Sequence, residues 1–210
     1  MKTLDLEVRT AALGPVELRA GGKGGVGVLT GYAAVFNRHS QNLGGFVEQV
    51  DPAAFTKSLA DATPVMARGN HDDAYLLGTT WAGTLTLEVD GTGLRYTVDL
   101  PDTTAGRDYK ALAERGDIKW SSFAFRTIED EWSETESGFP LRTLLAVQLV
   151  DVAPVNSPAY LDTSVAVRSL AAIQKTPEPV EVREAEQVGS GDPHPPVSVR
   201  ARLLELDALR

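Results

Sequence analysis

The chain has 210 residues, 42% of them hydrophobic, no cysteine, and a formal net charge of −9 at pH 7. That length supports one sizeable core of about 150 residues plus extensions. Without cysteine, disulfide frameworks, thiolate zinc sites and a cysteine nucleophile are excluded, and the acidic balance disfavours a sequence-independent grip on phosphate backbones, so the expected partner is a protein or small molecule and not nucleic acid.

The first thirty residues are interrupted by Asp5, Glu7, Arg9 and Glu17, which leaves no apolar core for a signal peptide. No later run reaches the roughly 18 apolar residues of a membrane span. A cytoplasmic setting without membrane contact is expected. Residues 1–25 read as an N-terminal extension.

From Val26 the pattern is strand-rich, with period-two alternation and glycine-containing turns. The stretches "VLTGYAAVF" (28–36), "FVEQV" (46–50), "PVMAR" (64–68), "AGTLTLEVDGTGLRYTVDL" (82–100), "IKWSSFAFRTI" (118–128) and "LRTLLAVQLVDVAPV" (141–155) all read as β. The fourth is a hairpin around "DGTG", Asp90 to Gly93, whose glycines are expected to supply positive φ. Two helices interrupt the strands. The first opens at Asp51 with Pro52 in its first turn and spaces Phe55 and Leu59 four apart; the second, near Thr104–Arg115, stacks Ala105, Tyr109 and Leu112 and stops at Gly116. Strands pairing mostly as meanders with two short helices between them predict a barrel-like α+β domain over residues 26–170.

Near Leu170 the character changes. Residues 171–210 carry Pro177, Pro179, Pro193, Pro195 and Pro196, a "GSGD" segment and no aromatic residue, a composition that cannot offset the cost of ordering its backbone. A largely disordered tail is expected. Its last stretch spaces Val199, Leu203, Leu206 and Leu209 as a short terminal helix would.

Three stretches carry candidate chemistry. In "ARGNHDDAYLLGTT", His71 ends one expected strand and leads into another. It reads either as a solvated turn histidine, as a metal ligand with Asp72 and Asp73, or as a general base awaiting a partner. In "KWSSFAFRT", strand geometry puts Trp120, Ser122, Ala124 and Arg126 on one face and Ser121, Phe123 and Phe125 on the other. The phenylalanines bury their side, and the small Ala124 leaves room beside Ser122; the alternative is a pair of ordinary strand serines. In "LVDVAPVNSPAY", Asp151 is a carboxylate in an apolar strand and needs a partner. That partner is either a histidine Nδ1–H, as in a Ser-His-acid triad, or an arginine such as Arg126 or Arg142.

Taken in order, "LTGYAAVFN", "FVEQVDPAAF", "ARGNHD", "GTLTLEVDGTGLRYTVDLPDT", "LAERGDIKWSSFAF" and "LVDVAPVNSPAY" resemble the prohead maturation proteases of tailed bacteriophages, the Hong Kong 97 type, across about residues 26 to 170. That family is similar in fold to the herpesvirus assemblins, which implies an assemblin-like β-barrel wrapped by short helices. The resemblance implies His71 as the base, Ser122 and not Ser121 as the nucleophile, and Asp151 as the acid. Ala124 stands where the family more often has glycine, and Asp151 where many relatives have glutamate. The backbone amides of Ala159 and Tyr160 are the candidate oxyanion donors, since Pro158 has none. The chain order His, Ser, Asp and the lack of a "GxSxG" elbow separate this set from the α/β-hydrolases.

The resemblance further implies an endopeptidase without cofactor or metal, acting in the host cytoplasm inside the procapsid on the major capsid protein's N-terminal extension, on scaffold protein and on itself. It also implies a homodimer or higher oligomer. Residues 171–210 are then a pro-segment or a scaffold- or shell-docking element. Two rivals remain at this level, a non-catalytic assembly module and a metal-dependent hydrolase built on His71, Asp72 and Asp73.

Overall fold

In the computed structural model, residues 5–11, 16–21 and 25–157 are described. The tail, its terminal helix, Ala159 and Tyr160 lie outside the described residues.

Among the described residues, ten strands form two sheets. In the first, β1 (Glu7–Ala11), β9 (Trp120–Glu134), β10 (Pro140–Val155), β5 (Met66–Arg68) and β6 (Leu76–Thr79) lie side by side in that order, with β4 (Val47–Val50) also on β10. In the second, β2 (Glu17–Arg19), β3 (Gly27–Val35), β8 (Gly93–Leu100) and β7 (Leu85–Val89) are antiparallel throughout. Among the described residues, a parallel bridge from Phe36 to Val50 joins β3 to β4, and the Thr84 N–H donates to the Thr79 carbonyl at 3.2 Å between the β6 and β7 edges. No closed barrel is found among the described residues, so the barrel expectation reduces to a strand-rich α+β fold of two sheets and two short helices.

Residues 1–25, read above as an extension, contain β1 and β2, and β1 pairs with β9 from Glu7↔Phe125 to Ala11↔Ser121. The alternation in "EVRTA" was masked because its inward residues include Glu7 and Arg9. Their partners are Glu48 on β4 and Arg142 on β10, brought within 2.7 to 3.1 Å. Arg9 also lies over the Phe125 ring.

β10 is served by two parallel partners in turn, β4 along Leu141–Leu144 and β5 along Asp151–Val152. Between them its backbone is covered by α1 (Thr56–Ala60) and the turn before it. Val147 N–H donates to the Ala54 carbonyl and Leu149 N–H to Ser58 Oγ, both at 3.0 Å, which satisfies these two amides on the strand edge. The helix begins later than the sequence pattern predicts. Asp51 Oδ1 accepts the Ala53 N–H at 2.7 Å and folds residues 52–55 into turns first.

The second helix, α2 (Thr104–Arg115), matches its predicted span, with Thr103 Oγ1 accepting Gly106 N–H and Gly116 closing it at φ 79°. The hairpin of β7 and β8 also forms where expected, but neither Gly91 nor Gly93 has positive φ. The turn is built by the Asp90 side chain, which accepts the N–H groups of Thr92 and Gly93. Gly93 is needed for space, since a Cβ there would come within 2.0 Å of the Ala34 carbonyl oxygen. Between the sheets, Phe55, Phe123 and Phe125 pack with Leu29, Leu94 and Val98, and the two β9 rings stack at 4.8 Å.

Candidate active site

Three neighbouring strands converge on one spot. Ladder pairing sets Ser122 opposite Thr10 on β1 and Ala153 on β10, and Ala124 opposite Asp151, so these side chains share the same face of the first sheet. A register shift between Leu149 and Asp151 gives β10 the extra residue that turns Asp151 onto this face. β5 then sets Met66 opposite Asp151 and, two residues on, leads into a single 3-10 turn, Gly69–His71.

That turn is backbone-strained. Asn70 and His71 have φ of 51° and 61°, left-handed values that cost energy for side-chain-bearing residues. Several contacts hold it. Asn70 Oδ1 accepts the Asn156 N–H at 3.1 Å, and the Gly69 N–H donates to the Tyr75 carbonyl at 2.9 Å. The Asn70 side chain is hydrogen-bonded to Tyr109 of α2, whose phenol is pushed up to about 12 by burial and then by Tyr75 and Asp72, so it stays protonated. Gly69 has no room for a side chain, because a Cβ would lie 2.1 Å from the Tyr109 ring.

The result is a line of three polar groups. His71 Nδ1 lies 2.5 Å from Asp151 Oδ1, and His71 Nε2 lies 2.7 Å from Ser122 Oγ. A carboxylate accepts only, so Nδ1 carries the proton and Nε2 is free to accept one. Ser122 Oγ also lies 2.8 Å from the Arg9 carbonyl, which gives the single hydroxyl proton two acceptors. Ser122 is fully buried and the Asp151 side chain is 3% exposed. Ser121 points the other way, its Oγ 3.1 Å from Tyr96 Oη and so close to Gly31 that a Cβ on that glycine would clash.

The second Asp151 oxygen goes to Arg68, with Nη1 at 2.8 Å from Oδ2. The arginine alternatives Arg126 and Arg142 are therefore corrected to Arg68. Arg142 sits at the other end of β10, bonded to Glu7, Glu48 and Asp130. Sequence reasoning missed Arg68, although a charged residue closing the strand "VMAR" just before His71 was the available signal. Of the metal reading, Asp72 Oδ1 accepts the Ala74 N–H and Asp73 pairs with Arg68, while both His71 ring nitrogens face Asp151 and Ser122. Those three residues do not converge on a common point.

A sequence model described as caudovirus prohead serine protease matches residues 15–177. The chain belongs to that family. Among prohead proteases, it is 28% identical to the prohead protease of Enterobacteria phage HK97 over 156 residues, 72% of this chain and 66% of that protein, so it spans just under two thirds of its curated relative's length. Its fold is similar to that of the bacteriophage T4 capsid assembly protease, with a TM-score of 0.51 at 14% identity, covering 71% of this chain and 96% of the T4 one. That likeness is one of fold.

Proposed function

We propose that this prohead protease family member is a serine endopeptidase of prohead maturation, with Ser122 as nucleophile, His71 as general base and acid, and Asp151 as the group that orients it. The observation that carries the reading is the unbroken relay from Asp151 Oδ1 through the imidazole to Ser122 Oγ. Ser122 Oγ attacks the scissile carbonyl carbon while its proton passes to His71 Nε2, and Asp151 stabilises the imidazolium. As the tetrahedral intermediate collapses, Nε2 returns that proton to the leaving amine and an acyl-enzyme remains. Water then attacks, with His71 again taking and returning a proton. Backbone amides of Ala159 and Tyr160 are proposed to bind the oxyanion.

The proposed substrates are the major capsid protein's N-terminal extension, scaffold protein and the chain itself, cut within the procapsid, with the enzyme as a homodimer or higher oligomer. Residues 26–170 are proposed as the protease unit, together with the strands β1 and β2 that pair with it. Residues 171–210 are proposed as a pro-segment or docking element.

Co-expression with the capsid protein, followed by mass spectrometry of the products, tests the reading. Ser122→Ala should leave the precursor uncut, and Ser121→Ala should process it within a few fold of the parent. Asp151→Asn should lower turnover by about 10³-fold or more with the fold intact. Full processing by Ser122→Ala would remove the serine mechanism.

A further inference from the structure

We propose that Arg68 is a positioning residue for this reaction, fixing Asp151 and the turn that carries His71; the proposal rests on the catalytic reading above. Asp151 has two oxygens and two tasks. Oδ1 must point at Nδ1, and a carboxylate almost wholly removed from water needs a compensating charge close by. Arg68 supplies that charge at Oδ2, 2.8 Å away, and in doing so sets the plane of the carboxylate so that Oδ1 faces the ring.

The guanidinium also reaches beyond Asp151. Its Nη2 is 2.7 Å from Asp73 Oδ1 and 3.0 Å from Met66 Sδ. Arg68 precedes the strained turn and Asp73 follows it, so one planar group ties the two ends of the His71 turn to each other and to β10. The Asp73 carboxylate is 85% exposed and adds little by itself. The weight falls on the buried arm. A lysine retains the charge but not the fork, and reaches one partner at a time.

Reaction with a fluorophosphonate reports nucleophile activation without a known peptide substrate. The full chain should be labelled at Ser122, and Ser122→Ala should not. Arg68→Met should slow labelling by about 10- to 100-fold, the loss expected when a supporting group lets the reacting geometry drift by about an ångström, and Arg68→Lys should fall between. A purely structural arginine would not move a second readout, the far-downfield proton resonance of the Nδ1–H bonded to Asp151. That signal should shift or vanish in Arg68→Lys while the unfolding midpoint stays near the parent's. Should Arg68→Met fail to fold, Arg68→Lys decides: parental labelling and an unchanged resonance overturn the proposal. A folded parent chain that is not labelled at all would overturn the catalytic reading instead, and the resonance, which needs no turnover, separates that failure from this one.

Discussion

Two buried charge clusters sit on the hairpin of β9 and β10, and they are built from different kinds of group. Towards its far end, Glu7, Arg9, Glu48 and Arg142 interlock in the interior, with Thr127 and Asp130 at the margin. Burial by itself would raise the Glu7 carboxyl, but Arg142, Arg9 and Thr127 outweigh it and hold Glu7 below its ordinary value; Arg142 is driven upward in turn, burial being outweighed by Glu7, Glu48 and Asp130. At the other end, Asp151 meets one guanidinium and one imidazole, and the imidazole meets a hydroxyl. The first cluster joins guanidinium groups to carboxylates and a threonine hydroxyl, with no imidazole among them. The second contains a ring and a hydroxyl that can exchange a proton. The same sheet thus holds a cluster of fixed ion pairs and, at its other end, one built around an imidazole.

The contrast breaks most visibly at Arg142. Arg142→Met leaves Glu7 and Glu48 uncompensated around a side chain that is 2% exposed, and should cost about 3 to 5 kcal/mol in urea unfolding. Ser122→Ala should change stability by less than about 1 kcal/mol while abolishing labelling. If the two variants destabilise equally, the division between the clusters fails.

Gly69→Ala probes the link between stability and geometry. The new methyl group must displace the Tyr109 ring, and overpacking of this kind costs about 1 to 3 kcal/mol. Because the same turn carries His71, fluorophosphonate labelling should fall more steeply than stability does. Loss of stability with unimpaired labelling would mean that the turn tolerates displacement.

The smallest effect is a pH dependence. Since the folded-state value of Glu7 is depressed, its ion pairs contribute fully above the ordinary carboxyl value of 4.5, and that contribution is lost as pH falls from there through the lower folded value. The stability gap between the parent and Glu7→Gln should therefore be widest near neutral pH and narrow below about pH 4.5. A gap independent of pH would show that Glu7 acts by packing alone.

The sequence was most legible where one face was apolar and the other polar. The β7–β8 hairpin, α2, and the opposite orientation of Ser121 and Ser122 were readable because Phe123, Phe125 and Tyr109 mark the buried side. β1 was not, since its inward positions hold charges whose partners lie far along the chain. The outer part of β9, Glu129 to Glu134, was also hidden, because most of its residues are polar and exposed; only Trp132 finds an apolar partner, Phe46 at 5.0 Å. Strand alternation says which way a residue faces, but not which strand arrives next to it. That is why Asp151's need for a partner was evident and Arg68 was not.

The bond from Ser122 Oγ to the Arg9 carbonyl spans 113 residues, and the pair of Arg142 with Glu7 spans 135. Closing loops of that size is paid for in chain entropy before any contact rewards it, so folding is expected to be slow relative to helical domains of similar length. It also sets an order in time. A chain still emerging from the ribosome contains the β1 segment before β10, and without β10 it has neither Asp151 nor the strand on which β4 and β5 assemble. The surroundings of Ser122 thus come together only after residue 151 is available, so a chain elongated short of that point lacks the Asp151–His71–Ser122 hydrogen-bond line.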